Sequence, residues 1–588
     1  MTGVERGELG WRMRAALETV MTAFAGLAVT LLLWAAGLAL WSRQQAEQTR
    51  HVGGWPGHIE RLPRLGDSPV NGLAVIVWVA AVMLIAAAAV SIWLGRTRRR
   101  GAVRPVVWAG ALTLAAFGVY SVDIPTFYAR VTSTFPITPA LPAGIAAWLL
   151  GAAGATAVLL AAVRIPLLAR RDLRVVAIGA VVGVVTASVT TVASVRAGDD
   201  TRYVDATTAA AVDVPPVPAA LGQRRFTVTV PDAYNDKDYP RFFAAAAGAG
   251  FIVDIADTVT AYDADGAERW HYRRTGPGES RVETVQVFDD GATVLLWIDG
   301  DDKVGEKSVV ALDAVTGEEL WSGSGRQLDT SKGFDRPPYM VFRDDRTWTR
   351  NDSRTGKPMW TVAAPHAGCA TEYMDTADRL VSVSTCFEDE PDAVWLTVLD
   401  PQTGNTVWDH PVRQDAPSDD PMNGYPSGSG KPLSASSVLL RVSDPRGPGT
   451  NEYVYVVDRT ITDLPRGLTF VEAPGPSDDI LGTQSAGRDV RLRLFDGQGS
   501  ERCSTVGAYS SGYPLLTGTG FDTAHLTFGD TFVVQDQERE NLVTLDSTRC
   551  AEVSRTPAPG VDGLLPVPGA NLVFRRGENR TLVIDGYR

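Results

Sequence analysis

Hydrophobic residues are distributed along this chain in two ways. Up to about residue 197 they run together in long blocks. Beyond that point they alternate with polar residues in short segments. The blocks lie near Leu17–Trp41, Val70–Leu94, Val103–Val122, Leu141–Val163 and Val175–Val195. Each holds about 20 residues, enough helix to cross the hydrocarbon core of a bilayer, so five membrane spans are predicted. The first is read as a retained span. Its apolar run exceeds the ~7–15 residues of a signal peptide, and no A-x-A site follows. The spans read as free of ionisable groups, the pattern of an anchor rather than a transport path.

The alternating part is organised around VVALDAVTGEELW, Val309–Trp321. A strand runs into a tight turn and out into a second strand. Asp313 can accept hydrogen bonds from nearby backbone N–H groups, and Gly317 can take the positive φ that closes the turn. Trp321 brings a large apolar side chain into the next strand. The pattern recurs at Thr349–Trp360, with Gly356, and at Leu396–Trp408, with Asp400 and Gly404. Val259–Trp270 is a version without the threonine, turning at Asp263 and Gly266. Successive tryptophans stand 51, 39 and 48 residues apart, and strand-rich periods of roughly 40–50 residues mean propeller blades.

Blades are read at about 241–272, 282–321, 339–362, 370–412, 437–468, 480–505 and 524–553. The last strands, NLVFRR and RTLVIDGY, make an eighth that lacks its outermost strand. Arg224–Val230 alternates as a strand but has no blade of its own. Pairing it with the last blade removes two exposed edges and closes the ring. The expected architecture is an all-α transmembrane bundle over residues 1–197, a linker over 198–222 and an all-β propeller over 223–588. The propeller has eight blades, with seven as the fallback. The tract Asp415–Ser434, rich in Pro, Gly, Ser and Asp, reads as an exposed insertion.

The A-x-D-x-x-T-G-x-x-x-W repeat resembles the blades of PQQ-like β-propellers. That family includes quinoprotein dehydrogenases and the non-enzymatic lipoprotein subunit of the outer-membrane barrel assembly machinery. The resemblance runs from about Phe226 to the C-terminus, and the repeats ending at Trp321 and Trp408 fit it in full. It implies that Trp270, Trp321, Trp360 and Trp408 each dock against the neighbouring blade. Many alcohol-oxidising members carry a disulfide between adjacent cysteines above the cofactor, and this chain has no Cys-Cys pair. Membrane-bound sugar dehydrogenases of the family share a multi-span N-terminal anchor but have much longer propellers. About 48 residues per blade are mostly used by four strands and their turns, which leaves little chain to roof a cofactor.

Charge divides the chain as hydropathy does. Residues 1–199 hold 18 arginines, no lysine and nine carboxylates, a net of +9, while the remainder carries a net of −22. The acidic part would repel phosphates, which excludes nucleic acid as a partner. The short loops Arg96–Arg104 and Arg164–Arg174 are dense in arginine and are predicted to be cytoplasmic. The Ser42–Ser68 loop, with Arg43, Arg50, Arg61 and Arg64, dissents and is outweighed. The N-terminus is then cytoplasmic and the propeller extracytoplasmic, in a multi-pass protein of the plasma membrane held in lipid by five helices.

All four cysteines lie in the acidic part, and an oxidising compartment would pair them. The stretch from Cys369 to Cys386 reads as a hairpin turning between Ala377 and Asp378. That sets the two cysteines opposite one another at a Cα distance of about 4.5–5.5 Å, inside the disulfide range of roughly 4.4–6.8 Å. Cys503 and Cys550 fall near the Trp position of two degraded repeats, and their pairing stays open.

Little else carries chemistry. The six histidines, His51, His58, His271, His366, His410 and His525, show no metal-ligand spacing. Asp263-Ala-Asp265-Gly266 lacks the later ligands of a calcium loop and reads as a turn. No catalytic residue, cofactor site or metal site is assigned. The expected function is a non-enzymatic binding or scaffolding module in the cell envelope with a protein partner. The alternatives are a PQQ-dependent membrane dehydrogenase and an envelope sensor.

Overall fold

The computed structural model describes residues 3–588 except 49, 53–68, 98–100, 123, 126–127, 129–137, 235–240, 256, 277–280, 299–306, 326–338, 344–345, 377, 387–392, 415–426, 433–436, 444–450, 458–459, 464, 466–467, 472–478 and 511–524. It forms two compact units. One holds residues 1–50, 55–203 and 276–280; the other holds 51–54, 204–275 and 281–588.

The long helices of the first unit are Gly3–Gln48, Pro69–Arg96, Arg104–Ser121, Ala140–Ala161 and Leu173–Ala197. Four stretches, not five, are long and apolar enough to cross a membrane: Met13–Gln45, Gly72–Arg96, Ala140–Ala161 and Arg170–Tyr203. The span expected at Val103–Val122 is an 18-residue helix. At 1.5 Å per residue it is about 27 Å long, against a hydrocarbon core of about 30 Å. It also opens on Arg104 and Pro105 and closes on Tyr120 and Ser121, which dilutes its apolar content.

This short helix nevertheless packs along the bundle. Near its start, Val106 shares a buried cluster with Ala161, Ala162 and Ile165, at the end of the Ala140–Ala161 helix. Toward its other end, Phe117 shares a second cluster with Leu141 and Ala143, and its ring meets Trp148 edge-on at 4.3 Å. The two helices therefore run antiparallel. Both arginine-rich connections consequently sit at one end, where Gly95 approaches Pro166. The other end is marked by Ser42, which donates to the Ala140 carbonyl at 2.6 Å, and by Gly198, set against Pro139.

The spans are not free of charge as expected. Glu18 and Arg104 both fall within predicted spans. Glu18 lies 3.7 Å from Arg164, whose Nε donates to Thr22 Oγ1 at 3.2 Å. Both charges therefore stand at the arginine-rich end rather than in mid-span, where an unpaired charge would be costly. On the last helix, Thr186, Thr190, Thr191 and Ser194 bond their own helix carbonyls. Hydroxyls in an apolar helix are satisfied that way.

The second unit contains eight antiparallel sheets among the described residues. In chain order they cover residues 242–274, 282–325, 340–363, 370–414, 427–463, 469–507, 525–557 and 561–587. The strand Arg224–Val230 pairs with Leu582–Tyr587, as the missing strand of the last sheet. Shared apolar cores join the second sheet to the third, the third to the fourth, the fourth to the fifth, the sixth to the seventh and the seventh to the eighth. One also joins the first and the last: Phe242 and Phe251 cluster with Leu572, Phe574 and Ile584.

Two irregular stretches differ from expectation. The Ala- and Pro-rich tract read as a linker is hydrogen-bonded along the sheets. Val204–Ala206 pairs with Glu268–Arg274 as a fifth strand of the first sheet. Thr207 and Ala209 N–H groups donate to His271 and Thr316 carbonyls, and Pro216 accepts from Gly569 N–H. Extended backbone has no internal hydrogen bonds, so a sheet edge satisfies it and is itself covered. Within the tract read as an insertion, Ser427–Pro432 is the edge strand of the fifth sheet, paired with Ser437–Ser443. Residues 415–426 and 433–434 of that tract lie outside the described residues. Its Ser-Gly alternation hid the strand, because an edge strand needs backbone partners more than apolar side chains.

Candidate functional site

The residues singled out by the repeat build two things, a turn and a joint between sheets. Asp313 Oδ1 accepts the N–H groups of Val315 and Thr316, both at 3.0 Å, and the Thr316 hydroxyl at 3.2 Å. Asp400 does the same with Gln402 and Thr403, at 2.8, 2.8 and 3.1 Å. In the shorter turn, Asp263 Oδ1 accepts from Asp265 and Ala267 at 2.9 Å. The glycines take the expected conformation, with φ of 78° at Gly266, 73° at Gly317, 66° at Gly356 and 72° at Gly404.

Charge follows this geometry. The Thr403 N–H, chiefly, holds the Asp400 carboxyl below its ordinary value. Burial pushes Asp313 up, but the Thr316 N–H and Arg354 outweigh it and the net direction is down. Sequence reasoning named Gly356 but not its aspartate, Asp352, which bonds Thr355 at 2.7 and 2.8 Å, and it did not foresee the aspartate turns at Asp496, Asp536 and Asp546. Asp352 had the right signal, since Asp352 to Gly356 keeps the D-x-x-T-G spacing. Asp546 bonds Thr548 and Arg549, which hold its carboxyl at about 2. It was hidden because a cysteine stands where the glycine should be.

Each joint pairs a tryptophan with the next turn. Trp270 Nε1 donates to the Ala314 carbonyl at 3.0 Å, Trp321 Nε1 to Ser353 at 2.8 Å, and Trp360 Nε1 to Pro401 at 2.9 Å. Every acceptor is the residue directly after a turn aspartate. The indole then lies under the turn glycine. A Cβ added at Gly317, Gly356 or Gly404 would stand 2.7, 3.0 or 2.9 Å from the indole of Trp270, Trp321 or Trp360. Glycine is thus required twice, for its φ and for the space. Trp408 is half-buried, stacks on His410 at 5.3 Å and packs against an apolar cluster that runs from its own sheet to Val438 and Leu440 of the next. Residues 458–459, where its facing turn would lie, are outside the described residues.

One joint was not foreseen. Phe226, on the strand that completes the last sheet, lies under Gly266 of the first, 2.4 Å from where a Cβ would be. It occupies the place of a tryptophan between the last and first sheets. Its signal was a lone aromatic in an orphan strand.

The cysteines form two disulfides, Cys369–Cys386 and Cys503–Cys550. Around the first, Ala370 opposes Thr385 and Tyr373 opposes Ser382, the register that puts Cys369 opposite Cys386. The hairpin closes with Thr376 N–H on the Arg379 carbonyl; Ala377 lies outside the described residues. The second pair departs from the sequence reading. Cys503 is at a Trp position, but Cys550 is at a turn-glycine position, with φ of 51°.

With this geometry in view, the comparisons with known proteins fall into place. Residues 235–342 and 304–446 match the family model described as "Outer membrane protein assembly factor BamB". The matched residues span the first four sheets and reach into the fifth, and these are PQQ-like propeller blades. No curated protein matches the chain. BamB from Moraxella catarrhalis is similar in structure, at 16% identity and a TM-score of 0.34, over 63% of this chain and 98% of that one. Quinohemoprotein alcohol dehydrogenase from Comamonas testosteroni is similar at 13% identity and a TM-score of 0.26, over 66% and 76%. Both likenesses are too distant to carry a function. Within the PQQ-like blades the residues that define the repeat are engaged in turns and joints.

Proposed function

We propose that this protein is a membrane-anchored, extracytoplasmic PQQ-like propeller of eight blades that binds or scaffolds envelope proteins and is not an enzyme. The observation that carries the reading is the use of the repeat residues. The aspartates bond their own turns and the tryptophans bond the next blade, so the repeat encodes architecture. The matched family name, an assembly factor, supports a protein partner. Closure as eight blades is supported by the Arg224–Val230 pairing and by the Phe226–Gly266 joint.

Two observations support the location. Disulfides persist in oxidising compartments, and the propeller holds two. The arginine-rich connections share one end of the bundle, the end expected to stay in the cytoplasm. Gly198, from which the chain continues to the propeller, stands at the other end.

Affinity purification of the full chain from detergent-solubilised membranes tests the function. The expected result is co-purification of an envelope protein, and no reduction of dye with glucose or simple alcohols after incubation with the quinone and calcium. Stoichiometric quinone binding with substrate-dependent dye reduction would favour a dehydrogenase instead. The orientation is tested by single cysteines placed at Thr97 and at Gly497, probed on intact cells with an impermeant thiol reagent. All native cysteines are paired, so the signal is clean. Labelling at Gly497 and not at Thr97 is expected; the reverse pattern would overturn the orientation.

A further inference from the structure

We infer that the Cys503–Cys550 disulfide is a blade joint in its own right. It replaces the indole–glycine contact with a covalent bond, and so makes the seam between the sixth and seventh sheets depend on redox state. The inference rests on positional equivalence, and would stand whatever partner the propeller binds.

Consider first the sixth sheet. Cys503 lies opposite Leu494, directly before a bulge. Trp321 lies opposite Ala311 before the same bulge, and Trp360 opposite Arg350 likewise. Now consider the seventh. Cys550 follows Asp546 by the spacing at which Gly317 follows Asp313 and Gly404 follows Asp400. Its N–H donates to the Asp546 carbonyl at 2.8 Å, as Gly317 donates to Asp313. It keeps a positive φ, which non-glycine residues rarely adopt. The contact atom matches too. Cys503 Sγ is 3.4 Å from the Ser547 carbonyl oxygen, and Ser547 directly follows the turn aspartate, as Ala314, Ser353 and Pro401 do.

Two cysteines cannot fill the volume of an indole. Without the bond, the contact between these two positions would offer neither a large apolar side chain nor a strong hydrogen bond. The seam would keep only what lies beside it: Arg502 donating to the Gly529 carbonyl at 3.0 Å, the Ser510–Gln535 and Gln537–Ala508 backbone hydrogen bonds, and the apolar cluster around Leu494 and Phe532. Cys369–Cys386 is different, because it closes one hairpin within one sheet and crosses no seam. The two disulfides therefore have separable consequences.

Cys503 is the less buried of the two residues, half-buried where Cys550 is only 2% exposed, so attack is expected at Cys503. A dithiol attacks Cys503 as its thiolate, forms a mixed disulfide and expels the Cys550 thiolate. Its second thiolate then displaces Cys503 and the reagent leaves as a disulfide. Two electrons pass to the cysteines, which take up protons as thiols.

Hydrogen exchange on the full chain in detergent tests this, with and without dithiothreitol. Using Cys369→Ala/Cys386→Ala as background isolates the seam; the native chain gives the same readout if that variant does not fold. Reduction is expected to speed exchange over residues 490–507 and 543–550 at least tenfold while leaving residues 242–325 unchanged. Adding Cys503→Trp/Cys550→Gly should keep the seam slow in both conditions. Cys503→Ala/Cys550→Gly should leave it fast in both, which separates the indole from relief of the positive φ. Unchanged exchange on reduction would overturn the inference, and so would a Trp/Gly seam as fast as the Ala/Gly one.

Discussion

The helical bundle and the propeller both bring their elements together over glycine, for different physical reasons. In the bundle, glycine removes a side chain so that two backbones can touch. A Cβ on Gly26 would stand 1.9 Å from the Val176 carbonyl oxygen, and one on Gly179 would stand 1.9 Å from that of Ala23. Apolar lipid gives helices little reason to associate by burial alone, so close van der Waals approach does the work. In the propeller, glycine makes a close cover for a large ring and also supplies a positive φ. There the driving force is burial of an indole, fully in Trp270 and to 4% exposure in Trp321. One region is held by what glycine omits. The other is held by what is placed beneath it.

The contrast breaks most sharply in the bundle. Gly179→Leu meets backbone, which cannot step aside, so the first and last helices must separate. The expected outcome is loss of the monodisperse folded species in detergent, with Gly37→Leu as control, since a Cβ at Gly37 meets nothing within 4 Å. Equal behaviour of the two variants would show that close packing of these helices does not hold the bundle.

In the propeller the largest effect should come from Trp321→Ala. Removing a buried aromatic costs about 3–5 kcal/mol, and the Ser353 carbonyl loses its partner as well. Trp408→Ala should cost clearly less, because that ring is half-buried. Thermal unfolding of the second unit in the full chain measures both, and a Trp408 effect as large as that of Trp321 would contradict the ranking.

How much of this was legible in sequence follows from where each signal resides. The Trp321 joint is written in one stretch of chain, since turn, glycine and tryptophan recur at readable spacing. Register was legible for Cys369 and Cys386 because both belong to one hairpin. Phe226 was not legible as a joint residue, because its partner Gly266 is in another sheet and its own sheet is completed from the far end of the chain. Cys550 was misplaced because a repeat is recognised by its glycine, and here the glycine itself is replaced. The third helix misled for a simpler reason. Arg104 and Pro105 start a helix that packs like its neighbours while falling short of them in length and apolar content.

A finer cut separates the two demands made on turn glycines. Gly317 has both a positive φ and the Trp270 indole beside it, whereas Gly487 has a φ of 75° and nothing within 4 Å. Alanine at Gly487 meets only the backbone penalty, about 1–2 kcal/mol. Alanine at Gly317 meets that and must also displace the indole. Gly317→Ala should therefore lower the melting temperature more than Gly487→Ala. Equal losses would mean that the indole yields freely and its contact with the glycine is not a constraint.

The smallest expected effect is on pH dependence, and it has opposite signs at two sites. In the turns, hydrogen bonds to the Thr548 hydroxyl, then to the Thr548 and Arg549 N–H groups, hold Asp546 at about 2, below its ordinary 3.8. Asp400 is lowered in the same way. A carboxyl whose folded value is depressed stabilises the fold above its unfolded value, and that contribution is lost as pH falls from about 4 toward 2. Asp254, on Gly250–Ile255 of the first sheet, behaves oppositely. Burial first, and the nearby Asp257 second, push it up to about 7 from 3.8. Its charged form is disfavoured in the fold, so stability falls as pH rises from about 4 to about 7 and is level beyond. Asp254→Asn should therefore match the native chain below pH 4 and melt a few degrees higher above pH 7. Asp546→Asn should differ from the native chain above pH 4 and converge on it near pH 2. Melting temperatures of the three proteins between pH 2 and 8 decide it, and an Asp254→Asn curve parallel to the native one throughout would show that this carboxyl stays charged within the sheet.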